Sequence, residues 1–90
     1  MLAVSKSAAV VIQDLLTSAR LPAGSGLRLA QRDDHTALAM TMCAGPGHED
    51  VVVVEHEVAV FLGPVAAQRT MDQTLEATSS TTGRSFYLRG

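Results

Sequence analysis

The sequence predicts an α+β fold, with one leading helix laid over a sheet or sandwich of about six short strands. Two changes of pattern carry that expectation. Apolar residues recur at three- and four-residue spacing only near the N-terminus, and at two-residue spacing thereafter. Polar segments rich in glycine, proline, serine and threonine separate the runs.

Leu2–Val4 reads as a short extended piece. Ser5 or Ser7 then offers an N-cap hydroxyl to the first free backbone N–H groups of a helix. Behind the cap, Ala8, Ile12, Leu15, Leu16 and Ala19 form one apolar stripe, with Gln13, Asp14, Thr17 and Arg20 off it or at its edge. Leu21-Pro22-Ala23-Gly24-Ser25-Gly26 ends the helix and turns the chain. Leu27 and Leu29 then alternate with Arg28 and Ala30, a half-buried strand. After the polar break Arg32-Asp33-Asp34-His35, a second strand alternates Leu38, Met40 and Met42 with Ala39, Thr41 and Cys43. Ala44–Asp50 reads as a loop. Val51–Glu55 and Val58–Leu62 read as strands joined by a tight turn at His56-Glu57. Gly63-Pro64 breaks the run, Val65–Met71 suits one short helical turn, and Leu75–Thr78 suits a strand. Thr78-Ser79-Ser80-Thr81-Thr82-Gly83 reads as a low-complexity loop before a last strand, Ser85–Leu88.

The 90 residues are one domain's worth of chain, with too little length for a second core. Apolar residues make up 47% and charged residues 18%, the balance of a globular chain rather than a disordered one. Lys6 and the arginines are scattered and the formal charge is −2, which argues against nucleic acid as a ligand. The start shows no basic region ahead of a long apolar stretch, so no signal peptide is expected. The apolar runs are strand-length, too short for a helix that spans a bilayer, so no membrane association is expected. Cys43 is the only cysteine, which fits a reducing, cytoplasmic setting.

The reactive groups are few. His35 follows two aspartates, a carboxylate–imidazole corner that also reads as a solvated polar loop. His48 sits in a Gly-Pro-Gly loop, and His56 falls at a hairpin tip. Cys43 would be a nucleophile only with a base and an electropositive setting nearby, and no sequence neighbour supplies them. No phosphate cradle, nucleophile elbow or paired-histidine helix motif occurs, so the chain is not expected to be an enzyme.

Several features, in order, resemble the A-type iron–sulfur carriers, the HesB-like domain. Leu2-Ala-Val-Ser-Lys-Ser-Ala-Ala looks like that family's opening strand and Ala-rich helix. Gly26-Leu-Arg-Leu-Ala-Gln-Arg32 looks like its first main strand. The valine strand, the turn at His56-Glu57 and Val58-Ala-Val-Phe-Leu-Gly-Pro64 follow its middle course, and Gly83-Arg-Ser-Phe86 resembles its ending. The likeness spans nearly the whole chain. It implies a single HesB-like domain over residues 1–90, a helix packed on a small mixed β-sandwich of six or seven short strands.

Family members hold iron or an iron–sulfur cluster with three cysteines, because thiolates are soft anionic ligands that bridge well to iron and sulfide. Laid along that pattern, this sequence puts His35 at the first ligand position and Ser80 and Thr82 at the C-terminal pair. Cys43 corresponds to none of them. The resemblance therefore implies a non-catalytic interaction module that has lost cysteine-based cluster binding, with no cofactor expected. A homo-oligomer and iron–sulfur assembly proteins are the partners it implies. The alternative is an iron or iron–sulfur carrier that uses His35 with Cys43, other histidines or ligands from a partner chain.

Overall fold

Residues 1–31 and 37–90 are described by a computed structural model. The order is β1 (Ala3–Val4), α1 (Lys6–Ser18), β2 (Gly26–Gln31), β3 (Leu38–Cys43), β4 (Val51–Glu55), β5 (Val58–Leu62), α2 (Pro64–Arg69), β6 (Thr74–Ser80) and β7 (Gly83–Arg89). The architecture is α+β.

Ser5, rather than Ser7, starts α1. Its backbone is extended and its hydroxyl accepts from the Ala8 N–H at 3.1 Å, satisfying one of the orphan donors of the first turn. Ser7 instead donates to Glu76 Oε1 at 3.3 Å, which ties the helix start to β6. At the other end Leu21 N–H donates to the Leu16 carbonyl and Arg20 N–H to that of Thr17, the reciprocal pair that closes a helix. Arg20 takes the left-handed backbone there, at φ 56°, where glycine is usual.

The helix buries Ala8, Ala9, Val11 and Ile12, while Leu15 and Leu16 pack half-buried against the core. Ala19 departs from the expected stripe: it is exposed. The helix ends at Ser18, so Ala19 is the C-cap, beyond the last turn that packs inward.

Two sheets receive the helix. One has the order β3-β2-β5-β4, with β2 and β5 parallel and the outer pairs antiparallel. The other has the order β1-β6-β7, with β1 and β6 parallel and β6 and β7 antiparallel. Gly26 opens β2 instead of closing the preceding turn. It pairs with Ala59, and the Ala59 carbonyl oxygen fills the place a Cβ would need. A side chain there would force the two central strands apart.

His56 and Glu57 make the two-residue β4–β5 turn with φ of 51° and 68°. That geometry matches strand twist but suits Asn-Gly far better than two side-chain-bearing residues. Pro64 stands at the first position of α2, where its missing N–H costs nothing.

The expected loop at Thr78–Gly83 is a correction. Thr78, Ser79 and Ser80 continue β6, pairing with Ser85, Arg84 and Gly83, and only Thr81-Thr82 turns. Threonine is a good strand residue wherever a partner strand stands opposite, and composition alone does not reveal the partner. Thr78 and Ser85 reinforce the ladder through hydroxyls 2.9 Å apart. Gly83, at φ 138°, takes a backbone open to glycine.

One core joins these elements. Leu2 and Val4 before and in β1, Ile12 from α1, Leu27 and Leu29 from β2, Val60 and Leu62 from β5, and Leu75 from β6 are all buried together. Each contributes about 1.5–3 kcal/mol relative to exposure. Phe61 points to the other face of its sheet and is also buried, flanked in register by Arg28 and Val52.

Candidate functional site

The hairpin tip between β6 and β7 carries two of the residues singled out from the sequence. Ser80 ends β6, and Thr82 lies in the turn just before Gly83. Both are exposed. Their hydroxyl oxygens are 2.8 Å apart, the Thr82 N–H donates to Ser80 Oγ at 3.3 Å, and Ser80 Oγ donates to the Gly83 carbonyl at 3.3 Å. The two side chains therefore close their own turn. Serine and threonine make such local bonds readily, because a short hydroxyl reaches backbone groups two or three residues away.

Cys43 stands elsewhere, at the end of β3 and opposite Gly26 in the four-stranded sheet. It is half-buried and a free thiol, with Thr41 Oγ1 3.6 Å from its sulfur on the same strand face. No hydrogen bond among the described residues joins it to Ser80 or Thr82. His35 lies outside the described residues. His48 is exposed in the loop after β3, and His56 is exposed at the β4–β5 turn. Among the described residues no group of three histidines, cysteines, aspartates or glutamates is arranged to hold a metal ion. As a donor set, the paired alcohols at the hairpin tip do not fit an iron–sulfur cluster, since neither ionises near neutral pH and oxygen is the harder ligand.

The strongest polar constellation escaped the sequence reading. Asp50, its side chain 1% exposed, accepts from Arg28 Nε at 2.8 Å, from the second guanidinium nitrogen at 2.9 Å and from the Gly47 N–H at 2.7 Å. The fork grips the carboxylate in bidentate fashion. Hydrogen bonding from Arg28 holds the Asp50 carboxyl below its ordinary range, with Gly47 helping and burial opposing. Arg28 is raised in turn, chiefly by the Asp50 hydrogen bond. The pair anchors the 44–50 loop to β2 and so fixes where β4 begins. A second ionic link, Arg89 Nε to Glu76 Oε2 at 2.8 Å, ties β7 to β6 at the surface. The Glu76 carboxyl also lies below its ordinary range, through the Ser5 hydroxyl first and Arg89 next. Alternation in β2 had marked Arg28 as outward-facing, but nothing linear connects it to Asp50.

Neither a protein-family model nor a curated protein sequence matches the chain. Solved structures do. SufA from Escherichia coli, a protein involved in the biosynthesis of iron–sulfur clusters, superposes with a TM-score of 0.75 over 99% of this chain and 84% of its own, at 20% identity. A protein from Aquifex aeolicus gives 0.76 over 99% of this chain and 90% of its own, at 17% identity. IscA solved with its [2Fe–2S] cluster gives 0.69 over 100% of this chain and 85% of its own, at 12% identity. The chain has the HesB-like fold. At such identities the likeness is one of backbone course. The HesB-like frame here carries one cysteine in 90 residues. No helix among the described residues is long and apolar enough to cross a membrane.

Proposed function

We propose that residues 1–90 act as one non-catalytic interaction module on the HesB-like fold, a module that meets iron–sulfur assembly partners without holding a cluster through its own cysteines. The observation that carries this reading is the state of the hairpin tip. The positions that the family pattern assigns to a thiolate pair are Ser80 and Thr82, and their hydroxyls are spent on each other and on the turn backbone. A cluster needs soft anionic donors, and two hydrogen-bonded alcohols are neither soft nor anionic. Cys43, half-buried on another sheet, supplies a single thiol per chain. The wholesale retention of strand and helix pattern beside these substitutions supports a role for the surface rather than for a bound metal.

Anaerobic reconstitution with iron and sulfide, followed by visible absorption and metal analysis, tests the proposal. The expected sample is colourless and free of stoichiometric iron. A sulfide-to-iron charge-transfer band that disappears in His35→Ala or Cys43→Ser would refute it and establish the carrier reading instead. An accelerated alkylation of Cys43 at neutral pH, relative to a free thiol, would count against the non-catalytic part.

A further inference from the structure

Strand β4 ends the four-stranded sheet and is paired on one side only, with β5. Edge strands of native proteins are ordinarily blunted by lysine, proline, a bulge or very short length, because their open N–H and C=O groups invite another strand. β4 has none of these defences. Its five residues pair with β5 in unbroken register, and the sequence is Val51-Val52-Val53-Val54-Glu55. Val51, Val52 and Val54 are 39%, 45% and 66% exposed, although Val53 is buried. β1 reaches this strand through the Val4 N–H, which donates to the Glu55 side chain at 3.1 Å, and that link adds no strand to the β4 backbone.

Charge selects the occupant. The segment 49–57 contains Glu49, Asp50, Glu55 and Glu57 with no lysine or arginine, and only Asp50 is neutralised, by Arg28. A second copy added antiparallel about Val53 would set Val51 of each chain opposite Glu55 of the other and bring Glu49 and Glu57, which flank the strand, towards each other at both ends of the pairing. Like charges gathered at the ends of such a pairing repel each other. A strand with basic residues at its ends meets complementary charge at those same places.

We propose that β4 is a strand-addition site for an extended segment of a partner protein, alternating in apolar residues and flanked by lysine or arginine. Main-chain hydrogen bonds to β4 would supply affinity, the exposed valines would select apolar side chains, and the flanking glutamates would fix register. The inference rests on the interaction-module reading and gives it a surface.

The test is a titration of the isotope-labelled chain with the capped peptide Lys-Thr-Val-Thr-Val-Thr-Lys, beside the same peptide carrying glutamate at both ends. Amide shifts and slowed hydrogen exchange are expected at Val51–Val54. The lysine-flanked peptide is expected to bind about tenfold more tightly at low ionic strength, an advantage that shrinks as salt is added. Val52→Lys with Val54→Lys, both at exposed positions, is expected to abolish the shifts while leaving the thermal midpoint nearly unchanged. Equal binding of the two peptides, absence of binding, shifts that map away from β4, or binding that survives the double substitution would overturn the proposal. So would concentration-dependent dimerisation removed by Val54→Lys, which would seat a second copy on the edge. Failure here leaves a colourless reconstitution standing, whereas a loaded cluster would remove the module reading without altering the titration.

Discussion

Replacing Asp50 by asparagine removes the charge at the best-buried ionic contact of the described chain. The asparagine oxygen, in the place of Oδ2, can still accept from the Gly47 N–H and from Arg28 Nε, but its NH2 group would face the second guanidinium nitrogen, donor against donor. The 2.9 Å bond is lost outright, and the 2.8 Å bond keeps its acceptor but loses the anion. Bonds to charged groups contribute about 1.5–3 kcal/mol each, and the orphaned cation adds a desolvation cost. Arg28 is 33% exposed on its side chain, so water recovers part of that loss. The expected net cost is about 2–3 kcal/mol. For a chain of this size that corresponds to a fall of roughly 10–20 °C in Tm. Urea and thermal unfolding of the two proteins across pH measure it. The Asp50 carboxyl sits below its ordinary 3.8 in the folded state, so its contribution is complete above that value. It is lost as pH falls through the lower, folded value. The gap between wild type and Asp50→Asn is therefore constant near neutrality and closes only in acid. A gap under about 0.5 kcal/mol, the range of ordinary surface changes, or one that persists into strong acid would refute the assignment.

The remaining expectations concern backbone fit and ligand chemistry. Gly26→Ala drives a methyl into the Ala59 carbonyl between the two central parallel strands and is expected to cost about 1–3 kcal/mol, read by urea denaturation. Glu57→Gly relieves a left-handed residue at φ 68°, and a rise of about 1 kcal/mol in unfolding free energy is expected from thermal melts. Ile12→Ala, at 0% exposure in the core, is expected to cost about 2–5 kcal/mol and to lower the urea midpoint without changing the slope. Installing thiols by Ser80→Cys with Thr82→Cys should raise iron uptake on anaerobic reconstitution above that of the parent chain. No gain over the parent would mean that the hairpin tip is not where sulfur was lost.

The exposed valine edge and the anchored 44–50 loop belong to one arrangement. Asp50, the residue that Arg28 grips, immediately precedes Val51, so the loop enters β4 from a fixed point. Loosening that anchor by Asp50→Asn acts on the strand proposed to receive a partner.

Local chemistry made most elements legible. Ser5 capped a helix whose stripe of Ala8, Ile12, Leu15 and Leu16 could only pack one way, and the alternation of Leu27 with Arg28 and of Met40 with Thr41 set two strand faces. Pro64 announced the start of α2. The Thr78–Gly83 stretch reads as a loop from composition alone because serine and threonine serve turns and ladders equally, and a strand partner seven residues away decides between them. The order β3-β2-β5-β4 was not legible either, since strand periodicity fixes which face a residue takes but not which strand lies beside it. That order is what brings Arg28 to Asp50, closes Gly26 against Ala59 and leaves β4 outermost.

The sequence by itself therefore determined the chemistry on offer: one thiol, scattered cations, and a hydroxyl-rich stretch before the last strand. Tertiary structure alone decided that Arg28 meets Asp50, that Gly26 closes against Ala59, and that four valines stand at an open edge. The reason is physical. Composition and period are properties of neighbours along the chain, whereas pairing and exposure depend on contacts between residues that are distant in it.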